Sequence, residues 1–270
     1  TYKEIEKDFK IDKKIDMNLS SDTSLGISKS MSIAQTLFSK AYNELKPDIV
    51  VVLGDRYEVF CAASAAMISQ IPIAHIHGGE VTQGAFDDSI RHSITKMSSI
   101  HFTSTEKYRK RIIQLGENPK NVFNVGSLGV ENLKNLKNLT TQELKKLSTI
   151  KLSGKNILVA YHSVTNQKDL GIPGFRKVLL SLKKLKNTYL IFTGSNADPG
   201  GLKINKMIKS YVNKNKKKSI FINNLGQNLF HYILKRVDCI IGNSSSGVIE
   251  APSFNTPTIN LGKRQSGRIM

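Results

Sequence analysis

Residues 47–80 read PDIVVVLGDRYEVFCAASAAMISQIPIAHIHGGE. The apolar run Asp48–Leu53 predicts a strand, Val59–Ser69 predicts an alanine-rich helix, and Ile71–His75 predicts a second strand. Strands that are apolar at nearly every position are typical of parallel sheets, because both of their faces are covered. A helix between two such strands supplies the crossover connection that a parallel pair requires. This stretch therefore predicts one β-α-β unit.

The same alternation continues outward in both directions along the chain. Further predicted strands are Ile100–Thr103, Val122–Val125, Asn156–Tyr161, Tyr189–Thr193, Ser219–Ile222, Asp238–Ile241 and Thr256–Asn260. Further predicted helices are Ser30–Leu45, Thr105–Leu115, Phe175–Leu185 and Gln227–Arg236, with another that opens near Phe86. We therefore predict the α/β class with two Rossmann-like domains. The polar, strandless segment 131–155 places their boundary, giving domains at residues 1–150 and 151–270.

The composition narrows the class of protein. The net charge of +19 raises the question of nucleic-acid binding, but lysines outnumber arginines 32 to 8 and concentrate between residues 141 and 220. Nucleic-acid readers favour arginine forks and aromatic platforms, so a solvated lysine-rich surface is the better interpretation and no nucleic-acid partner is expected. No apolar run reaches membrane-spanning length. Cys61 and Cys239 lie in separate apolar runs and are interpreted as buried thiols of a cytoplasmic enzyme.

Polar residues collect where the predicted strands end, which is where parallel α/β sheets bind ligands. They are Asp55 and Arg56, His77 and Glu80, His162, Asn196, Ser244 and Ser245. Each has a plainer alternative. Asp55 could cap the following helix, and the GNSSSG turn could be only a helix cap, although such turns also present N–H groups to phosphates. Glu250 follows that turn and would lie one to two helical turns on, where it could accept from a sugar hydroxyl.

The stretch AHIHGGEVTQGAFDDSIRH, residues 74–92, is dense in ionisable groups. His75 and His77 alternate along a strand and should share a face; with Glu80 or His92 they could chelate zinc, but the spacing does not support a metal site and none is expected. In the following helix the pairs Asp87/Arg91 and Asp88/His92 are four residues apart. They are either two surface ion pairs or part of an acid–base wall of a cleft.

Five motifs in this order identify a resemblance that spans essentially the whole chain. They are GDRYEVFCAA, IPIAHIHGGE, DDSIRHSITKM, GNSSSGVIEAPSF and PTINLGKRQSGR. Together they resemble the hydrolysing UDP-N-acetylglucosamine 2-epimerases of sialic-acid and related nonulosonic-acid synthesis. The resemblance implies a GT-B architecture with a UDP-sugar substrate in the cleft. It also implies loss of UDP from the sugar, followed by water addition that leaves a free manno-configured amino sugar, with no cofactor.

The resemblance also implies roles for individual residues. Asp55, His77, Glu80, Asp87 and His162 fall at catalytic positions, and the substrate-binding positions are Arg56, Arg91, Asn196, Ser244, Ser245, Glu250 and Arg264. Two departures are visible. His77 stands where some members have a glutamate proposed as catalytic, and Ser163 replaces the proline of the family's HPVT segment.

A third departure concerns the start of the chain. The family opens with a strand and an arginine-bearing TGxRAxY-like turn, and nothing similar precedes Asp48. With Thr1 at one end and no helix stop signal at the other, we expect a chain truncated at both ends.

The functional alternatives left open are a non-hydrolysing 2-epimerase, a GT-B glycosyltransferase and a basic nucleic-acid binder. We expect a homo-oligomer, and the substrate is either UDP-N-acetylglucosamine or a UDP-diacetamido relative.

Overall fold

The computed structural model describes residues 2–6, 8–19, 21–134, 138–152 and 154–269. Its helices are α1 (Tyr2–Ile5), α2 (Ser24–Leu45), α3 (Tyr57–Ile68), α4 (Asp87–Met97), α5 (Glu106–Gln114), α6 (Leu128–Lys134), α7 (Thr141–Leu147), α8 (Ile172–Lys183), α9 (Gly201–Lys214), α10 (Gln227–Leu234) and α11 (Ser246–Ile249). Its strands are β1 (Val50–Leu53), β2 (Ile73–Ile76), β3 (Ile100–Thr103), β4 (Val122–Asn124), β5 (Lys155–Ala160), β6 (Thr188–Thr193), β7 (Ser219–Ile222), β8 (Cys239–Gly242) and β9 (Thr258–Asn260). Single 3₁₀ turns lie at Pro119–Asn121 and Ala251–Phe254. All nine predicted strands are present, with boundaries that shift by two residues or fewer.

The first sheet has four parallel strands in the order β1-β2-β3-β4. Its register pairs Val52 with His75 and His75 with His101, so two histidines lie side by side in adjacent strands. Helices α3 and α4 cover the sheet through a buried cluster that includes Ile73 and Ile94. The parallel arrangement predicted from residues 47–80 is confirmed.

The second sheet has five parallel strands in the order β7-β6-β5-β8-β9. Two separate apolar clusters bury its two faces, one around Leu158 and Leu229 and the other around Val159 and Phe192. Successive residues of β5 therefore point to opposite cores, which explains why its apolar run is continuous. The α/β class with two Rossmann-like sheets is confirmed. The sequence pattern does not single out α9, whose apolar face alternates with lysines.

The chain folds as two compact units. The first comprises residues 1–80 and 86–127, and the second comprises residues 81–85 and 128–270. The short segment after Glu80 thus belongs to the second unit, although its neighbours in sequence belong to the first. The domain boundary near residue 150 stays a prediction; residues 135–137 and 153 of its strandless segment lie outside the described part of the chain. No helix among the described residues is both long and apolar enough to cross a membrane.

Candidate functional site

A buried histidine, His75, hydrogen-bonds to the turn that follows β1. The imidazole of His75 is 0% exposed, and its Nε2 lies 2.8 Å from the carbonyl oxygen of Gly54, to which it donates. Its Nδ1 lies 3.2 Å from the hydroxyl of Thr95 in α4. Burial lowers the pKa of His75 to about 4, against a smaller raising effect of the Gly54 carbonyl. His75 is therefore neutral at pH 7 and fixes the point where the chain leaves β1.

The carboxylate of Asp55 is bound by Arg91 of α4. Arg91 is 1% exposed; its guanidinium also donates to Asp88 at 3.1 Å and to the carbonyl oxygen of Glu80 at 2.9 Å. The N-cap of α3 is Arg56, so the capping interpretation of Asp55 is wrong: this side chain turns toward α4 instead. Arg91 is an anchor that holds Asp55 and the Glu80 backbone together, and its contact with substrate stays a prediction.

Glu80 is buried and positioned by two side chains. It is 4% exposed, and its Oε1 lies 2.7 Å from His77 Nδ1 and accepts from the Ser104 hydroxyl at 3.0 Å. His77 has a φ of +65°, a left-handed conformation that is uncommon for a residue with a side chain. Its backbone N–H still donates to Phe102 at 2.8 Å, which keeps the turn attached to β3. The strained backbone directs the imidazole onto the carboxylate.

The expected shared face of His75 and His77 is not formed. Strand β2 ends at Ile76, and the left-handed φ of His77 breaks the alternation, so the two rings contact different groups. Within the part of the chain that the structure describes, no group of three or more histidine, cysteine or acidic side chains is arranged to hold a metal ion.

Asp87 opens α4 beside the same sheet edge. It is 5% exposed, and its Oδ1 lies 3.9 Å from Nη1 of Arg56. The guanidinium of Arg56 also lies over the Tyr57 ring at 5.0 Å and 3.4 Å from Glu58. Of the two pairs predicted in α4, Asp88 and His92 lie 3.9 Å apart, and Asp88 also contacts Arg91 at 3.1 Å; the acid–base role of Asp87 stays a prediction. The structure therefore gathers Asp55, Arg56, His77, Glu80, Asp87 and Arg91 at the carboxyl ends of β1 and β2.

In the second unit, a buried asparagine joins three loops. Asn243 is 0% exposed; its side chain accepts from the His162 N–H at 2.7 Å and donates to the His162 carbonyl at 2.8 Å. Its own carbonyl accepts from Arg264 at 3.2 Å and from Gln265 at 2.8 Å. Arg264 also donates to the carbonyl of Ser163 at 3.2 Å. The loops that carry His162, Ser244 and Arg264 are thus held as one assembly.

Asn196 is brought to His162 within this assembly. The backbone N–H of Asn196 donates to His162 Nδ1 at 3.2 Å. Since Nδ1 accepts, the proton of the neutral imidazole resides on Nε2, which makes His162 a potential donor on its outer side.

The GNSSSG turn leads into a helix of a single turn. Ser245 is the N-cap of α11, which has only four residues, and Ser244 Oγ accepts from the Ser246 N–H at 3.3 Å. A helix of one turn aligns few peptide dipoles, so its dipole contributes little here. Glu250 is the C-cap of α11, so it stands at the end of this single turn and not further along a helix.

Some residues that organise the two groups are missed by sequence analysis. They are Ser104, Asn243, Gln265 and His231, the last of which lies 3.4 Å from Glu250. Asn243 lies within GNSSSGVIEAPSF and Gln265 within PTINLGKRQSGR, so their position in these motifs was a usable signal. Ser104 and His231 are distant in sequence from the carboxylates they contact, and no local pattern indicates them.

Comparison with known proteins gives the family of this chain and its relatives. The chain matches the UDP-N-acetylglucosamine 2-epimerase family over residues 1–270. It is 48% identical over 269 residues to the GDP/UDP-N,N'-diacetylbacillosamine 2-epimerase (hydrolyzing) of Campylobacter jejuni, covering 100% of this chain and 70% of that protein. It is 42% identical over 267 residues to the polysialic acid biosynthesis protein P7 of Escherichia coli, covering 98% and 68% respectively.

A solved structure supports the fold. The Methanocaldococcus jannaschii UDP-GlcNAc 2-epimerase, crystallised with UDP-GlcNAc and UDP, aligns with a TM-score of 0.70 at 21% identity and covers 90% of this chain and 67% of that chain. The expected GT-B-type fold of two Rossmann-like units is confirmed by this likeness.

The chain spans about two thirds of the length of the relatives it matches. It belongs to the UDP-N-acetylglucosamine 2-epimerase family.

Proposed function

We propose that this protein is a hydrolysing 2-epimerase that converts a UDP-linked acetamido sugar into UDP and a free manno-configured sugar. The observation that carries the proposal is the Glu80 carboxylate, 4% exposed and held by His77 and Ser104, on a backbone that Arg91 links to Asp55. A cluster of carboxylates in differing environments suits proton removal and return at carbon. The hydrolysing relative at 48% identity favours this activity over the non-hydrolysing and glycosyltransferase alternatives.

The proposed reaction has two steps. A base removes the proton at C2 of the sugar, the C1–O bond to the diphosphate breaks, and UDP leaves with the bonding electrons. Water then adds across the resulting C1=C2 bond, with its hydroxyl going to C1 and a proton reaching C2 from the opposite face. Asp55, His77, Glu80, Asp87 and His162 supply the proton transfers. Arg91 acts through Asp55, which it holds in place.

We assign the nucleotide to the second unit. Arg264 and the N–H and hydroxyl groups around Ser244 and Ser245 bind the diphosphate, with Arg56 as a further cation. Asn196 contributes a polar contact. Glu250 accepts from the ribose hydroxyls, as a carboxylate with 19% of its side chain exposed can do.

The substrate class extends this proposal. We propose a UDP-diacetamido sugar ahead of UDP-N-acetylglucosamine, because the 48% identical relative is named for diacetylbacillosamine. A place in sialic- or legionaminic-type acid synthesis, a cytoplasmic location and a homo-oligomeric state belong to the same proposal. The relative named for polysialic acid biosynthesis supports the first of these.

Product analysis tests the function. The full-length protein is incubated in D₂O with each UDP-sugar separately and without an acceptor, and the products are followed by ³¹P and ¹H NMR. Free UDP together with a manno-configured sugar deuterated at C2 is expected. Retention of UDP on an epimerised sugar would indicate the non-hydrolysing reaction, and UDP release that begins only when an acceptor is added would indicate a glycosyltransferase.

A further inference from the structure

A buried histidine stands behind Glu250 and has no part in the function proposed above. His231 lies in α10 and is 2% exposed. Its Nε2 is 3.4 Å from Oε2 of Glu250, whose side chain is 19% exposed. One end of this pair is therefore sealed in the core, and the carboxylate end reaches solvent.

The surroundings of His231 hold its ring in one orientation. Phe230 and Phe254 flank it, with ring centroids 6.1 Å and 6.0 Å away and ring planes inclined at 67° and 53°. Both phenylalanines pack against the apolar cluster that contains Leu229 and Ile233. A polar ring placed among apolar residues costs free energy unless it makes a polar contact, and Glu250 supplies that contact.

The backbone of Glu250 is fixed by hydrogen bonds, but its side chain can rotate unless another residue restrains it. Glu250 ends the single turn of α11 and begins the 3₁₀ turn Ala251–Phe254. Its N–H donates to Ser246 at 3.1 Å and its carbonyl accepts from Ser253 at 3.1 Å, so the backbone is fixed. The side chain still has three rotatable bonds, and a contact at one carboxylate oxygen restricts them.

We propose that His231 is a positioning residue that orients the Glu250 carboxylate toward the ribose hydroxyls of the bound nucleotide. The inference rests on the proposed function, in which Glu250 binds the ribose. In this proposal His231 does not touch the nucleotide; its Nε2, 3.4 Å from Oε2, carries the proton that faces the partly exposed Glu250 carboxylate. A residue that orients a ligand-binding side chain generally raises the affinity of the site for its ligand.

The test compares UDP with 2′,3′-dideoxy-UDP, which lacks both hydroxyls, by calorimetry on the full-length protein. The parent should prefer UDP. His231→Phe removes the N–H but keeps a ring in the aromatic surroundings, and it should weaken UDP binding by about 5- to 20-fold while dideoxy-UDP binding changes little. His231→Gln, which keeps an N–H donor, should recover part of the preference. Glu250→Leu should abolish the preference, and His231→Phe added to it should have no further effect.

Phe254→Leu is the matched control. It loosens the packing around His231 and lowers the melting temperature, but it keeps the N–H, so the UDP to dideoxy-UDP preference should match the parent. An unchanged preference in His231→Phe, or equal losses for both nucleotides, would overturn the inference while leaving the proposed function intact. A parent that binds UDP without preferring it to dideoxy-UDP would also overturn it. A parent that binds no UDP would defeat the proposed function itself, and the inference with it.

Discussion

Asp87 is the first residue of α4 and is 5% exposed, with its carboxylate 3.9 Å from Arg56. We predict that Asp87→Asn lowers turnover by about 10²–10⁴-fold, because it nearly preserves shape but removes the ability to cycle a proton at neutral pH. Steady-state kinetics and UDP calorimetry measure the effect, and UDP affinity should stay within a few fold of the parent.

Deuterium exchange at C2 of the sugar locates the step that Asp87 serves. Exchange that falls together with turnover would assign Asp87 to elimination, and exchange that persists while sugar release stops would assign it to hydration. Ser89→Ala, on the same helix, serves as a control. A variant that melts early and regains full activity on cooling would mean that Asp87 has only a structural role.

His77 combines a left-handed backbone with a contact to a buried carboxylate. Glycine adopts this conformation without strain, so His77→Gly should leave the melting temperature unchanged or slightly higher while turnover falls by about 10²-fold or more. Gln70→Gly is the matched control, since Gln70 has a φ of +58° and lies outside the site. Gln70→Gly should likewise leave the melting temperature unchanged or slightly higher, but with normal turnover. Equal turnover in both variants would remove His77 from the catalytic group.

At the scale of secondary-structure elements, His75 links β2 to the end of β1 and to α4. Its pKa of about 4 in the folded protein lies below its ordinary value of about 6.5, so the unfolded state takes up the proton first as the pH falls. Stability should be constant above pH 6.5 and decline between about pH 6.5 and 4, by roughly 3 kcal/mol in total. Arg91 and His101 oppose protonation of His75, and Asp55 favours it.

Urea denaturation at a series of pH values measures this slope. Burial also lowers the pKa values of His92 and His101, which add to the decline in the same direction. His75→Asn should therefore flatten the pH dependence in part while lowering stability at pH 7. A variant with the slope of the parent would show that His75 does not account for it.

The three loops at the carboxyl end of the second sheet depend on Asn243. Asn243→Ala removes the side-chain hydrogen bonds to the N–H and carbonyl of His162, which should lower the free energy of unfolding by about 2–4 kcal/mol. UDP binding should weaken as well, because the His162 loop loses its side-chain link to Asn243, while the backbone carbonyl of Asn243 still accepts from Arg264 and Gln265. Asn228→Ala, a more exposed asparagine of α10, is the control for amide loss. If Asn243→Ala folds and binds UDP with normal affinity, then nucleotide binding does not depend on the loop assembly.

On the scale of the whole molecule, the net charge of +19 predicts a weak, salt-sensitive attraction to polyanions. Binding to a short duplex DNA should be detectable at about 50 mM salt and lost by about 200 mM, since nonspecific phosphate contacts are displaced by counterions. UDP affinity should fall much less over that range. Fluorescence anisotropy with labelled DNA and calorimetry with UDP make the comparison. DNA binding that persists at about 200 mM salt would favour the alternative that the protein binds nucleic acid.

Much of the fold could be predicted because its signals are local. The apolar runs IVVVL and CIIG reveal parallel strands directly, and the residues at strand exits follow from the rule that such sheets bind ligands there. The helix after GNSSSG ends after one turn at Ile249, where Pro252 and the following 3₁₀ turn take over, so Glu250 lies within the one to two turns expected.

By itself, the sequence determined that this chain alternates strands and helices, that its sheets are parallel, and which loops carry ionisable groups. These properties depend on neighbours within a few residues, through periodicity and turn chemistry. Only the tertiary structure decided that Arg91 binds Asp55, 36 positions away, and that His231 stands behind Glu250. Partners of that kind meet because sheet order and helix packing bring distant segments together, and a buried charge or imidazole takes the polar contact that the folded chain provides there.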